Sequence, residues 1–309
     1  VIPDARQKAP SQLDLAYPAF ADLALPAGLP SFSVAADRPR IHAEVGRYRL
    51  RLAESAEDRE AAFRLRFRVF NIELGEGLES SYQNGLDTDR FDDCCEHLLV
   101  EDKQELNVSR RIIGTYRMQS GEIAAHHFGY YSGQEFHLAP YEPLRAGILE
   151  LGRACIDREH RTPEVLMLLW RGIAQYATSM GLRYLIGCSS INSQEPAEGW
   201  QMYSQLAHYR VPPEFETTPT DAFACPIEPQ GAAQLPPSQT DRSSPAPQSS
   251  TAAEVKVPKL LRTYLAIGAR IAAPPAWDRA FGTIDFLTLL DLKLLSPSAR
   301  NRFLIPLTN

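Results

Sequence analysis

The chain has 309 residues, 44% of them hydrophobic and 23% charged, with a formal net charge of −6. That length and balance describe a globular protein with a sizeable core, and they exclude a disordered or collagen-like chain. The negative charge argues against a general nucleic-acid binder, and no apolar run reaches the 18 or more residues of a membrane span.

Residues 1–45 are rich in Pro and Ala and carry no sustained periodicity, so a flexible leader is predicted there. Its first 27 residues have no basic start followed by an apolar core, so no signal peptide is expected. From residue 46 to 227 the pattern is that of a folded domain. Tyr48, Leu50 and Leu52 alternate with arginines as in a half-buried strand. A helix is predicted from about Glu57 to Glu73, apolar on two sides and so packed by more than one neighbour. Residues 75–93 read as a loop with Asp87, Asp89, Asp92 and Asp93; strands follow over His97 to Val100 and Ile112 to Met118. The aromatic residues of 119–147 are either pocket wall or plain core.

The next stretch carries the strongest local signals. Ile148 to Ile156 reads as a buried strand, and Arg158, His160 and Arg161 as a basic turn. Thr162 is a natural N-cap, Pro163 suits the first helical position, and apolar residues at helical spacing run from Leu166 to Met180 before Gly181. A strand feeding a helix whose N-terminus is flanked by arginines is an anion site. A strand over Arg183 to Ser189 and a helix over Pro196 to Ala207 come next. Residues 228–257 are dense in Pro, Ser, Gln and Ala and predict a disordered linker. Residues 258–309 hold a short helix and two apolar runs that would complete the same sheet.

Five cysteines, Cys94, Cys95, Cys155, Cys188 and Cys225, show neither a CxxC pair nor a Cys/His cluster with zinc spacing. No metal site is expected, and a reducing cytoplasm suits the odd count; Cys155 and Cys188 read as buried thiols.

Four polar features stand out: Arg66 with Phe70 four residues on, Asp89 with Asp92, Arg117 after a strand glycine, and Glu150 with Arg153. Each has a bland reading. Arg66 could be a solvated helix charge, the aspartates turn residues, and Glu150 with Arg153 a structural ion pair. Positions three apart on a strand point to opposite faces unless a bulge intervenes, and Gly152 makes one plausible.

Arg66–Phe70, Asp89–Asp92, Arg117 and Glu150–Arg153, in that order, resemble the pattern of acyl-homoserine-lactone synthases, a group of the GCN5-related N-acyltransferase superfamily. The strings DRFDDCCEHLLV (89–100), IIGTYRM (112–118), YYSGQEFHLAP (130–140) and LELGRACI (149–156), with the tail after Pro258, look like the ornithine-lipid N-acyltransferases, often labelled hemolysin-like. The resemblance implies an α/β (α+β) fold, a central mixed twisted sheet flanked by helices on both faces. It implies transfer of a (3-hydroxy) fatty acyl group from acyl carrier protein to the α-amine of an amino acid, ornithine in the best-known branch, giving lyso-ornithine lipid. A long-chain N-acyl amino acid synthase or a homoserine-lactone-type signal synthase is the alternative, and a non-catalytic scaffold a third.

Under this resemblance Glu150 is the general base, with Arg153 and Arg117 holding it and the acidic loop in place. Arg66, Phe70, Asp89 and Asp92 are expected on the acceptor side. Arg158, Arg161 and Thr162 would meet the phosphopantetheine phosphate. No cofactor is expected to stay bound. Residues 157–165 contain no glycine, unlike the superfamily's pyrophosphate loop, which favours an acyl carrier protein donor over acyl-CoA. The expected partners are the carrier protein and an amino acid acceptor, not nucleic acid. The expected place is the cytoplasm, with a peripheral contact at the inner membrane suited to a lipid product.

Overall fold

The structure is a computed structural model and describes residues 38–226, 255–295 and 297–303. Its strands are β1 (His42–Val45), β2 (Tyr48–Leu52), β3 (Glu96–Asp102), β4 (Ile112–Ser120), β5 (Ile148–Ile156), β6 (Tyr184–Ile191), β7 (Arg270–Ile271), β8 (Ala276–Asp278) and β9 (Thr283–Asp291). They form one nine-stranded mixed sheet in the order β1-β2-β3-β4-β5-β6-β9-β7, with β8 also on β9. Neighbours are antiparallel except β5 and β6, which run parallel. The helices are α1 (Ala56–Phe67), α2 (Gly121–His126), α3 (Pro163–Ser179), α4 (Pro196–Gln205), α5 (Lys259–Ile267) and α6 (Pro297–Phe303). Among the described residues no helix is long and apolar enough to cross a membrane.

Strand alternation builds a core on each face of the sheet. Leu98, Val100 and Ile113 join the cluster under α3, with Leu169, Trp170 and Ile173. Their neighbours Leu99 and Ile112 point the other way and pack with Ala62, Leu65 and Val69 from α1 and its extension. Gly172 lets α3 sit close to the sheet: a Cβ there would stand 2.8 Å from Leu50 and Leu98 side-chain carbons. α3 begins as its sequence dictates, with the Thr162 hydroxyl accepting the Val165 N–H and Pro163 in the first turn.

Three sequence expectations change. The leader reaches less far than residue 45, because His42–Val45 pairs with β2 as an edge strand; its alternation spans only four residues, with Ala43 and Val45 against the core. The helix predicted to Glu73 ends at Phe67 and continues as a π-helical turn, Arg68–Glu73, which swings Phe70 toward the cavity described below. Cys155 is buried, whereas Cys188 is half-buried and lines that cavity. The linker predicted over 228–257 lies almost wholly outside the described residues, as does the leader up to residue 37.

Candidate active site

β5 and β6 pair only over Ile148–Glu150 against Tyr184–Ile186. Beyond Glu150 they separate, and a cavity of about 430 Å³ opens between Leu151–Ala154 on one strand and Leu185–Ser190 on the other. At the fork the strands touch closely: a Cβ on Gly187 would lie 2.3 Å from the Leu151 carbonyl oxygen. Parted strands leave backbone N–H groups of β5 facing the cavity rather than a ladder partner.

The cavity has two characters because it passes through the sheet. On the α3 face it is apolar, walled by Trp170, Leu185 and Leu290 and covered by Leu260, Leu261 and Tyr264 of α5. On the opposite face stand Gln119, Glu150, Cys188 and Asp285. The register sets this: Gln119 faces Glu150, Glu150 faces Ile186, and Cys188 and Ser190 follow at two-residue steps, with Asp285 opposite Ser190.

Glu150 is 4% exposed. Its carboxylate accepts the backbone N–H groups of Tyr131 and Ser132, both at 2.8 Å, and the Ser132 hydroxyl at 2.5 Å. Burial raises its pKa above the usual carboxylate value, while the Ser132 and Tyr131 hydrogen bonds and the Arg117 charge pull the other way. A buried carboxylate with a raised pKa, lining a cavity, is suited to accept a proton near neutral pH.

The expected pairing of Glu150 with Arg153 or Arg117 does not form. Arg153 sits in a β-bulge: Arg117 pairs with Gly152 and Thr115 with Cys155, so Tyr116 faces two residues. Its φ is +50°, a strain of about 1–3 kcal/mol for a non-glycine residue. The bulge turns its guanidinium to Asp89 (3.1 Å) and Asp87 (3.3 Å) and between the Tyr131 and Phe281 rings. Arg117 donates to Asp89 at 2.6 Å and to Asp92 at 3.3 Å.

Arg66 and Asp92 are also corrected. Arg66 is wholly buried and is not a solvated helix charge. It donates to Asp87 at 2.6 Å and to both Asp92 oxygens at 2.8 and 3.0 Å. Of the residues expected on the acceptor side, Arg66, Asp89 and Asp92 do not line the cavity, whereas Phe70 does, as do Arg117, Glu150 and Arg153. Asp89 caps the short turn Arg90–Asp93 in a reciprocal capping box with Asp92. Burial alone would raise the Asp92 carboxyl, but the Arg66 and Arg117 charges outweigh it and hold the pKa well below the usual range. Three arginines and three aspartates thus balance one another behind the cavity wall. His97 lies under this cluster, and burial pushes its pKa down to about 4, leaving the ring neutral.

The basic turn stands apart from the cavity lining. Arg158 is exposed, Arg161 makes a bidentate pair with Glu73 (2.6 and 2.7 Å), and the Thr162 hydroxyl is engaged as the α3 cap. Sequence reading missed Tyr131 and Ser132, which hold Glu150. It also missed Glu135, Cys188 and Asp285, whose ligand atoms lie within 4.8 Å of one another. YYSGQE belongs to a string that carries the family resemblance, but nothing in one sequence says that its amides meet a strand 18 residues on.

Residues 65–171 match the model of the acetyltransferase (GNAT) domain. The L-ornithine N(alpha)-acyltransferase of Brucella abortus (strain 2308) is 33% identical over 258 residues, covering 82% of this chain and 87% of that protein. The L-ornithine N(alpha)-acyltransferase of Rhizobium meliloti (strain 1021) is 31% identical, covering 85% and 86%. A solved structure, the AHL synthase LasI, aligns over 83% of this chain and 94% of its own with 10% identity and a TM-score of 0.45. With relatives at this identity over most of both lengths, the chain belongs to the L-ornithine N(alpha)-acyltransferase family, amide-forming acyltransferases of the GNAT type.

Proposed function

We propose that the protein transfers a fatty acyl group, 3-hydroxylated in the reading favoured here, from the thioester of acyl carrier protein to the α-amine of ornithine, yielding lyso-ornithine lipid. The observation that carries this reading is the buried Glu150 carboxylate at the fork of β5 and β6, between an apolar and an acidic half of one cavity. The names of the relatives supply the acceptor.

The acyl chain lies in the apolar half against Trp170, Leu261 and Leu290. The acceptor enters from the Glu150 side as an ammonium. It gives one proton to Glu150, directly or through a water, and the free amine attacks the thioester carbon. The carbonyl oxygen gains charge and is met by a β5 backbone N–H in the opened stretch. The C–S bond then breaks, the carrier's thiolate takes a proton, and the amide remains. Arg117 and Arg153, both on the cavity wall, hold Asp89 of the acidic loop in place. Arg158 and Arg161, with the N-terminus of α3, suit one phosphopantetheine phosphate and an acidic carrier. The Arg161–Glu73 pair is solvent-exposed and therefore weak enough to be exchanged for phosphate. The enzyme acts in the cytoplasm, with a peripheral contact at the inner membrane where its product resides.

Expression in a bacterium that lacks ornithine lipids, followed by mass spectrometry of its extracted lipids, tests the reading. Lyso-ornithine lipid is expected. A different N-acyl amino acid would assign another acceptor, and no new lipid would reject the function.

A further inference from the structure

The acidic half of the cavity carries more than the reaction needs. Arg117 and Arg153 are neutralised behind the wall by Asp87, Asp89 and Asp92. Among the described residues, the carboxylates on the other side of Glu150, Asp285 and Glu135, form no ion pair with an arginine or lysine. Asp285 lines the cavity and is 5% exposed; its Oδ1 accepts no hydrogen bond among the described residues. Glu135 lies behind it, 2% exposed, with Oε2 3.6 Å from the Cys188 sulfur. Asp278 and Glu76 also line the cavity. Asp278 Oδ1 accepts the N–H groups of Ala280 and Phe281, which tie that carboxylate to its own turn, whereas Asp285 Oδ1 is buried and open.

The chain's own turn fixes the spacing between this patch and the base. The turn Tyr131–Gln134 presents its first amides to Glu150, and the residue after it is Glu135. The proton-accepting carboxylate and the unpaired acid patch therefore stand at the two ends of one short turn. They share one face of the sheet, Glu150 through Ile186 and Asp285 through Ser190. An amino acid with its α-amine at Glu150 would extend its side chain toward Asp285.

We propose that Asp285, backed by Glu135, binds the side-chain ammonium of a diamino acid acceptor and selects it over neutral amino acids. The inference rests on the proposed acyl transfer to ornithine and adds the residues that choose it. Burial, with the charge of Asp285 beside Glu135 and of Asp278 beside Asp285, holds both carboxyls above the usual carboxylate range. An ammonium carries hydrogen-bond donors and the opposite charge, and it satisfies Oδ1. A neutral side chain of the same length leaves that oxygen buried and unpaired, which is the basis of strong discrimination.

The test compares ornithine with norvaline, which has the same carbon chain without the terminal amine, using the full chain and acyl carrier protein thioester. Wild type is expected to prefer ornithine in kcat/KM by on the order of a hundredfold or more. Asp285→Asn and Glu135→Gln should collapse that ratio at least tenfold, mainly through KM for ornithine, while Asp285→Glu keeps most of the preference. If Asp285→Asn does not fold, Glu135→Gln and Asp285→Glu carry the comparison. A wild-type ratio near one, or a ratio unchanged in the variants, overturns the inference while leaving acyl transfer in place. A divalent ion held by Glu135, Cys188 and Asp285, shown by elemental analysis and by acylation lost to chelator and regained with zinc, also overturns it. Acylation of neither amino acid would reject the acyl-transfer reading together with it.

Discussion

The Glu150 carboxylate accepts the backbone N–H of Tyr131 at 2.8 Å. With the Ser132 N–H and hydroxyl this gives Glu150 three donors and no arginine. Its charge is held by dipoles, which orient it without the full counterion that would abolish its basicity.

Glu150→Gln keeps the shape and removes the proton acceptor. Turnover should fall by about 10²–10⁴-fold with little change in KM for the donor. Burial raises the Glu150 pKa, so the acid limb of kcat/KM in the wild type should lie above the ordinary carboxylate value of 4.5. Activity is lost as pH drops through that limb. A pH–rate profile of the two proteins checks both statements.

Arg66→Met should destabilise the fold by about 3–5 kcal/mol, since it removes the shorter ion pairs of the buried Asp87 and Asp92 and leaves them only Arg153 and Arg117 at 3.3 Å. Denaturant unfolding measures this. The reading of Arg66 as a substrate contact predicts instead a stable protein with raised acceptor KM.

His97 supplies a pH dependence of stability. Its pKa falls from 6.5 to about 4 on folding, so between those values the unfolded chain binds the proton and the folded one does not. Stability is fully present above pH 6.5 and declines as pH drops toward 4, by on the order of 3 kcal/mol in all. Asp92, with its depressed pKa, adds a further loss below about pH 4. Equilibrium unfolding of wild type and His97→Gln across pH 4–7 should show a shallower slope in the variant.

The basic turn gives the donor prediction. Arg158→Ala with Arg161→Ala should raise KM for the acyl carrier protein thioester at least severalfold and steepen no other parameter. An unchanged donor KM places the phosphate elsewhere.

What was legible in the sequence was local. Thr162–Pro163 announces a helix start, and β5 runs over Ile148–Ile156, the bounds its apolar pattern suggests. Gly152 pointed to a bulge, and the bulge is at the next residue. What was hidden depended on partners far along the chain. Arg66 looks like any surface arginine until Asp87 and Asp92, 21 and 26 residues on, close over it. The family resemblance put Glu150 at the chemistry, but only the fold brings Tyr131 and Ser132 to it. Asp285 is 150 positions from Glu135, so no spacing rule could join them.

Incubating the purified protein with 3-hydroxyacyl carrier protein and ornithine, and fragmenting the product in a mass spectrometer, tests acyl transfer at Glu150 most directly. A single amide on the α-nitrogen, with the δ-amine free, is the predicted result. It follows from the proposed placement of the α-amine at Glu150 and of the δ-ammonium at Asp285. An amide on the δ-nitrogen, or no amide, would contradict it.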